Sequence, residues 1–225
     1  MKNIRTQNTL SGLKYLCPIT LLIGGAASMI YSAQAQATIV NLMVYENASG
    51  VDTSKVNVWV DVIDKGSGAE FTFHNDSENG FISNIYFEKT EFSDNALTNA
   101  VIVTPEFSDV DFSKGSSPKN PAGSIKNFGG VWDGNLFSAK ADSPAPKNGI
   151  KPGEYLTIRF DYNDIDFDDL ITGLSDPLKF RMAQHIQGLS KCDASIWTVN
   201  TPVPLPSTLV LLAAGLPLFL RRKML

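Results

Sequence analysis

The segment Val56–Asn75, VNVWVDVIDKGSGAEFTFHN, indicates the fold class of this 225-residue chain. Its first eight residues alternate, and this period of two is typical of a half-buried β-strand. The alternation places four valines on one face: Val56, Val58, Val60 and Val62. Turn residues follow at 65–68, and AEFTFHN then resumes a strand pattern. The segment therefore predicts a β-hairpin.

Similar short segments recur through the middle of the chain. They are GFISNIYFE (80–88), ALTNAVIV (96–103), VDF (110–112), VWDGNLF (131–137), EYLTIRFDY (154–162), LKFRMAQHIQ (178–187) and SIWTV (195–199). In GFISNIYFE, alternation predicts Phe81, Ser83, Ile85 and Phe87 on one face, with Ile82, Asn84 and Tyr86 on the other. In EYLTIRFDY it predicts a shared face for Leu156, Ile158, Phe160 and Tyr162. Many short strands separated by turns predict an all-β fold, mainly an antiparallel β-sandwich or jelly roll.

One short helix is predicted within this β-rich body, over Asp166–Leu174. Asp166 is the predicted N-cap, and Asp168 and Asp169 in the first turn favour the positive end of the helix dipole. The same acidic run is the best candidate for a metal site, because Ca²⁺ takes six to eight oxygen ligands. Its candidate ligands are Asp161, Asp164, Asp166, Asp168 and Asp169. The run lacks the glycine and glutamate positions of an EF-hand loop, so the capped helix is the favoured interpretation, and no cofactor is expected.

Charge is distributed unevenly along the chain. Between Gln36 and Ser207 there are 13 basic and all 23 acidic residues, a net charge of −10. A body this acidic repels phosphate backbones, so nucleic acid is not an expected partner. The two cysteines, Cys17 and Cys192, offer no disulfide framework if the N-terminus is removed, so the core alone must hold the fold.

The N-terminus predicts a cleaved secretory signal peptide over residues 1–37. Lys2, Arg5 and Lys14 precede a 15-residue apolar segment, Leu16–Ile30. Small residues at Ala33, Ala35 and Ala37 then form two overlapping cleavage patterns, which predict cleavage after Ala35 or Ala37.

The last 24 residues, 202–225, have a different organisation from the body of residues 38–201. Prolines at 202, 204 and 206 precede a 13-residue apolar run at 208–220, which predicts a single hydrophobic helix, and basic residues follow at 221–223. As a helix this run spans about 20 Å, short of the roughly 30 Å of a bilayer hydrocarbon core. Pro217 lies inside it. The positive-inside rule predicts that the basic cluster stays in the cytoplasm while the body lies outside.

This order of proline motif, short apolar span and basic stop resembles the PEP-CTERM sorting tail of Gram-negative bacteria. The matching positions are Val203, Pro204, Leu205, Pro206, Ser207, Gly215, Arg221 and Arg222. Leu205 departs from the family motif, which has glutamate there. The body also resembles the domains that often precede such tails, through SNIYFE, PGEYLTIRF and FRMAQHIQGLS. The resemblance implies recognition by a membrane-embedded, exosortase-like sorting enzyme, transient tethering by the tail, and delivery to the cell surface or extracellular matrix.

Few residues point to catalysis. The chain has only two histidines, His74 and His185, which excludes multi-histidine zinc sites and leaves little scope for a catalytic triad. His185 shares a predicted strand face with Arg181, Ala183 and Gln187, and a hydrogen-bonded structural histidine is the favoured interpretation. Trp59, Trp132 and Trp197 are expected in the core. Trp132, beside Gly129, Gly130 and Gly134, is the candidate sugar contact.

These observations predict a secreted, non-enzymatic structural or adhesive protein of the extracellular matrix. A carbohydrate-binding module is the main alternative, with extracellular polysaccharide as a partner, and it predicts an exposed aromatic platform or a Ca²⁺-supported groove. A secreted glycan hydrolase is the third hypothesis, and it predicts two carboxylates in one cleft.

Overall fold

The structure is a computed structural model that describes residues 36–47, 50–121, 131–176, 178–189 and 194–201. Residues 1–35 of the predicted signal peptide, the whole predicted sorting tail and Cys192 lie outside the described residues. Within the described ranges, none of the helices has the length and apolar character needed to cross a membrane.

Ten strands and three short helices make up the described part of the chain. The strands are β1 (Ala37–Glu46), β2 (Val58–Asp64), β3 (Gly68–Asn75), β4 (Phe81–Glu88), β5 (Leu97–Val103), β6 (Phe112–Lys114), β7 (Asn135–Ala141), β8 (Glu154–Tyr162), β9 (Met182–Gln187) and β10 (Ile196–Asn200). The helices are α1 (Glu91–Ala96), α2 (Ala145–Asn148) and α3 (Phe167–Leu174), and a 3-10 turn spans Thr53–Lys55.

All ten strands belong to one sheet, in the order β5-β8-β3-β2-β1-β10-β9-β4-β7-β6, and every described pair is antiparallel. β1 joins the two halves of this sheet. Its residues 37–41 pair with β2, whereas its residues 42–46 pair with β10. We call the side from β5 to β2 half A, and the side from β10 to β6 half B. The edge strands β5 and β6 approach each other, so the sheet curls into a nearly closed shape.

The core lies between the inner faces of the two halves, and phenylalanines connect them. Phe71 of half A meets Phe87 of half B edge-on at a centroid distance of 5.2 Å. Phe87 also packs against Phe160 at 4.9 Å. All three side chains are at most 1% exposed. Each such aromatic pair adds about 0.5–1.5 kcal/mol beyond the burial of its area.

Several predicted elements are confirmed. β8 has the predicted bounds, and Leu156, Ile158 and Phe160 are buried on its predicted inner face. The hairpin of β2 and β3 is confirmed, with Val58, Val60 and Val62 in the core. Three other strands were predicted a few residues off their bounds: β6 ends two residues later than predicted, and β7 and β9 begin four residues later than predicted.

The predicted faces of β4 were wrong at its start. A bulge between Ile82 and Asn84 inserts one residue, so Ile82 joins Ile85 and Phe87 in the core instead of pointing outward. Two residues of the bulged strand oppose one partner residue, and this resets the alternation downstream. Asn84 and Tyr86 keep their predicted common face, opposite Ile85 and Phe87.

The helix prediction was right for α3 and incomplete elsewhere. Asp166 is the N-cap of α3, accepting a hydrogen bond from the Asp169 N–H at 2.9 Å, and the Asp169 side chain accepts one in return. The single predicted helix is nevertheless too few, because α1 and α2 are also present. α1 escaped prediction because its six residues are too few for a helical period, although Thr90 and Ser93 form a capping box. β1 was also not predicted.

Candidate binding face

The solvent side of half A carries regular rows of side chains, and we call it the open face. Pairing aligns one row across four strands: Asn41, Trp59, His74 and Tyr155. A second row crosses five strands: Ile39, Asp61, Thr72, Thr157 and Val103. A third row holds Ala37, Ile63, Glu70, Arg159 and Val101. Alternation along each strand produces this face, because every second side chain points away from the core.

The first row contains a stack of three rings. Trp59 and His74 are nearly parallel, with an interplanar angle of 10° and centroids 4.9 Å apart. Tyr155 follows at 5.9 Å from the His74 ring, tilted by 36°. Parallel rings this close must stand side by side on the sheet, so the row does not form a flat platform. His74 Nε2 lies 2.9 Å from Asp61 Oδ2, without the alignment of a good hydrogen bond.

The other two rows have polar side chains at their centre and apolar side chains at their ends. The Thr72 and Thr157 hydroxyls are hydrogen-bonded at 2.9 Å. Arg159 and Lys65 both contact the Glu70 carboxylate. Burial opposes ionisation of Glu70, but the hydrogen bonds from Lys65 and Arg159 outweigh it and lower the pKa of this carboxyl.

At one end of the open face, Phe107 and Tyr155 both line a groove of about 420 Å³. Phe107 is fully exposed, at 105% of its reference area, and has a φ of 60°. Tyr155 is 45% exposed. The remaining lining residues are Pro105, Glu106, Ser108, Asp109, Gly153 and Glu154. We call this site the aromatic groove.

Charges around the aromatic groove are predominantly negative. Lys151 lies 3.8 Å from Asp109 Oδ2 and 3.5 Å from Glu154 Oε1. The backbone N–H of Lys151 also donates to Glu154 Oε2 at 2.8 Å. Glu106 adds a third carboxylate to the lining. The groove lining thus has three carboxylates, two of which lie near the Lys151 ammonium, and the groove has an excess of hydrogen-bond acceptors.

A larger groove of about 700 Å³ lies between α1, the 163–165 loop and Leu178. Its aromatic side chain, Phe92, is half-buried and packs against Phe180 and Gly173. Thr90 Oγ1 donates to the Lys179 carbonyl across one end. The aromatic side chain in the described part of its lining therefore packs against the core.

The solvent side of half B is covered, in contrast to the open face. Tyr86, Trp132, Ala183 and Trp197 form a buried cluster there, which we call the covered cluster. The Tyr86 hydroxyl donates to the Pro118 carbonyl at 2.9 Å, so a chain segment lies over the sheet. Burial raises the pKa of Tyr86 well above its usual range.

Trp132, the candidate sugar contact, lies within the covered cluster and is 7% exposed. Its indole N–H donates to Asn135 Oδ1 at 2.8 Å. The Arg181 guanidinium lies 5.7 Å from its ring centroid, within the range of a cation–π interaction. Tyr86 also meets the ring edge-on at 6.4 Å, so Trp132 is packed among protein groups and supplies no exposed platform in this structure.

A buried ion pair lies beneath Trp132. Arg181 contacts both carboxylate oxygens of Glu88, and the two side chains are 4% and 1% exposed. The Val131 carbonyl accepts a further hydrogen bond from Arg181, and the Asp133 N–H donates to Glu88. Protein groups therefore satisfy both buried charges.

His185 is buried among protein groups. Its ring stacks on Trp197 at 4.1 Å and 8°. Its Nδ1 lies 3.4 Å from Ser83 Oγ. Desolvation by burial lowers its pKa to about 4, so the imidazole is neutral at physiological pH.

Two of the five aspartates in the acidic run, Asp166 and Asp169, form the capping box of α3. A third, Asp161, accepts a hydrogen bond from Asn99 at 2.9 Å. Over the described ranges, no three His, Cys, Asp or Glu side chains converge as a metal site would require. The Ca²⁺ ligand set, including Asp164 and Asp168, stays a prediction.

The sequence did not single out the aromatic groove. Alternation in β8 does place Tyr155 opposite the core residue Leu156, and this signal could have identified Tyr155 as exposed. Nothing local marks Phe107, because only the folded chain brings the 104–110 loop beside β8. The sorting motif lies outside the described residues, as does Ala35.

The chain matches no protein-family model, none of the curated proteins and no solved structure.

Proposed function

We propose that this is a secreted or surface-associated, non-enzymatic structural or adhesive protein of the extracellular matrix. The observation that carries the proposal is the open face. It leaves large apolar side chains in water over several strands, including Ile39, Val101, Val103 and Tyr155, which are 38–59% exposed. Large exposed apolar areas on soluble domains mark interaction surfaces. A non-enzymatic role also agrees with the stacked, structural position of His185.

We assign the described body to the β-sandwich or jelly-roll class, with halves A and B as its two layers. The contacts of Phe71 with Phe87 and of Phe160 with Phe137, at 5.2 and 5.8 Å, support two layers around one core. The proposed organisation is a signal peptide within residues 1–37, cleaved after Ala35 or Ala37, then this domain (38–201) and a PEP-CTERM-like sorting tail (202–225).

Export and sorting are proposed from the sequence at both ends. The Gln36 carbonyl accepts a hydrogen bond from Asp64 at 2.8 Å, and Ala37 pairs with Ile63. Cleavage after Ala35 keeps both interactions, so Gln36 is the favoured mature N-terminus. The tail would then hold the protein in the inner membrane until an exosortase-like enzyme acts and passes it to the surface or matrix of a Gram-negative bacterium.

Intact mass spectrometry of protein recovered from the producing cell tests the proposal. The expected mass lacks residues 1–35 and all or part of the tail. Replacing Pro204 and Pro206 by Ala should leave full-length tail in the membrane fraction, because proline keeps the preceding segment extended. Replacing Arg221, Arg222 and Lys223 by Ser should release unprocessed protein, because basic residues resist crossing.

Wild-type protein that retains Leu225 and behaves like both variants would reduce the tail to a passive anchor. Protein that retains Met1–Ile30 would contradict the signal peptide.

A carbohydrate-binding module is the second candidate function. The observation that favours it is the aromatic groove, in which two exposed rings flank carboxylate and hydroxyl groups. The two candidates are compatible, because adhesion within a polysaccharide matrix requires a glycan-binding surface.

A further inference from the structure

We propose that the aromatic groove is a binding site for a neutral glycan, with one sugar ring held between Phe107 and Tyr155. This inference rests on the proposed adhesive function and names the ligand class and residues that would serve it.

The first argument is the position of Phe107. A fully exposed phenylalanine leaves its whole ring in water, and a bulky residue at a φ of 60° is a conformational outlier. Neither feature helps the fold, since the side chain makes no core contact. Strained residues of this kind cluster at ligand-binding sites. A ligand that packs on the ring would recover the apolar burial that the fold leaves unused.

The second argument is the second aromatic residue of the lining, Tyr155. Tyr155 is held from behind by the His74 ring, which in turn stacks on Trp59. The stack restricts Tyr155 before a ligand arrives, so binding costs less side-chain entropy. Tyr155 nevertheless stays 45% exposed, which leaves surface for a second contact on the side of the groove.

The third argument is the polar lining. Sugars present hydroxyl donors around a ring whose C–H groups pack on aromatic faces. The groove supplies acceptors in Glu106, Asp109 and Glu154, and a hydroxyl in Ser108. Lys151 contributes one cation near Asp109 and Glu154. The ring walls therefore suit the C–H faces of a sugar, and the carboxylates suit its hydroxyl groups.

Charge decides which glycan fits. Three carboxylates against one ammonium repel uronic acids, sulfates and phosphates, so an acidic polysaccharide is disfavoured. The same charges oppose a symmetric dimer through this site, because a two-fold axis would bring each carboxylate cluster against its copy. A neutral glycan meets neither penalty.

The test measures binding of the protein recovered from the producing cell to cellulose, chitin and a soluble neutral glucan, with polygalacturonate as the acidic probe. Phe107→Gly and Tyr155→Ala are compared with wild type. We expect binding to at least one neutral probe and a loss of about tenfold in each variant, because stacking on one aromatic side chain contributes roughly that much. Polygalacturonate should bind more weakly than the best neutral probe.

Leu178→Ala and Val131→Ala are matched controls, because both side chains are exposed apolar groups, at 71% and 76%, that do not line the groove. They should bind like wild type. Phe107→Gly should fold at least as stably as wild type, because glycine tolerates its backbone conformation. Its lost binding would then not be a folding defect.

Three results would overturn the inference: no binding to any neutral probe, full binding by both groove variants, or stronger binding to polygalacturonate. A dimer in sedimentation that both groove variants dissociate would assign the groove to a second copy instead. Matrix retention and terminal processing are measured separately. A negative result for the glycan site therefore does not contradict the proposed adhesive function.

Discussion

Both histidines of the chain stack on a tryptophan in the neighbouring strand, yet the two stacks occupy opposite environments. Trp59 and His74 pair between β2 and β3 on the open face. Trp197 and His185 pair between β10 and β9 in the covered region. The His74 side chain is 25% exposed and lies beside Asp61, whereas His185 is 8% exposed and has no carboxylate in its described contacts.

The two stacks have the same residue types, so the difference between them arises from whether other parts of the chain bury the rings. On half B, Pro118 and Trp132 lie over the rings, and desolvation keeps His185 neutral. On half A, within the described residues, His74 and Tyr155 keep partly exposed side chains. The same contrast applies to the ion pairs on the two sides.

The largest expected effect comes from breaking the buried ion pair. Glu88→Gln should lower the free energy of unfolding by about 3–5 kcal/mol, because it removes the carboxylate charge that the buried Arg181 guanidinium contacts through both oxygens. Glu70→Gln on the open face is the matched control. It should cost at most about 1 kcal/mol, because Arg159 is half exposed and water screens the pair. Urea denaturation at neutral pH measures both.

Equal losses for Glu88→Gln and Glu70→Gln would contradict the contrast between a covered and an open side. A loss in Glu88→Gln that Arg181→Met restores in the double variant would instead support it, since the buried guanidinium charge is then gone.

The second expected effect is a pH dependence that belongs to the covered side. The folded pKa of His185 is about 4 and its unfolded value about 6.5, so the unfolded chain binds more protons between these values. Stability from this group is therefore complete above pH 6.5 and decreases as the pH falls to about 4, by about 3 kcal/mol in total. Denaturation curves across pH 4–7 measure it.

His185→Gln should remove the decrease in stability between pH 6.5 and about 4, because glutamine does not titrate. In His74→Gln this decrease should persist, because His185 is retained. A decrease that disappears with His74 instead would assign the pH dependence to the open face.

The smallest expected effect lies outside both faces, at the α3 cap. Asp166→Ala should cost about 1 kcal/mol, the usual contribution of an N-cap side chain. Addition of EDTA should leave the circular dichroism spectrum and the melting temperature unchanged. Asp168→Ala is the control, because its side chain makes no described cap hydrogen bond and its loss should cost only a few tenths of a kcal/mol.

If EDTA lowers the melting temperature of the wild type but not of Asp166→Ala, the acidic run is a structural Ca²⁺ site and the capped-helix interpretation is wrong.

The sequence alone determined the features that depend on neighbours a few residues apart. Alternation predicted β8 and its inner face, turn residues predicted the hairpin of β2 and β3, and an aspartate before an acidic first turn predicted α3. These signals are local because side-chain direction repeats every two residues in a strand, and a cap bonds within one helical turn.

Only the tertiary structure decided the features that depend on distant pairing. The bulge in β4 reversed the predicted side of Ile82, because β9 sets the register. β1 was missed because its role is to join two halves whose partners lie far apart in the chain. Trp132 and Tyr155 are both aromatic residues in the sequence, yet the fold buries the Trp132 ring and leaves the Tyr155 ring partly exposed. Burial is a property of the whole fold, and no short stretch of sequence contains it.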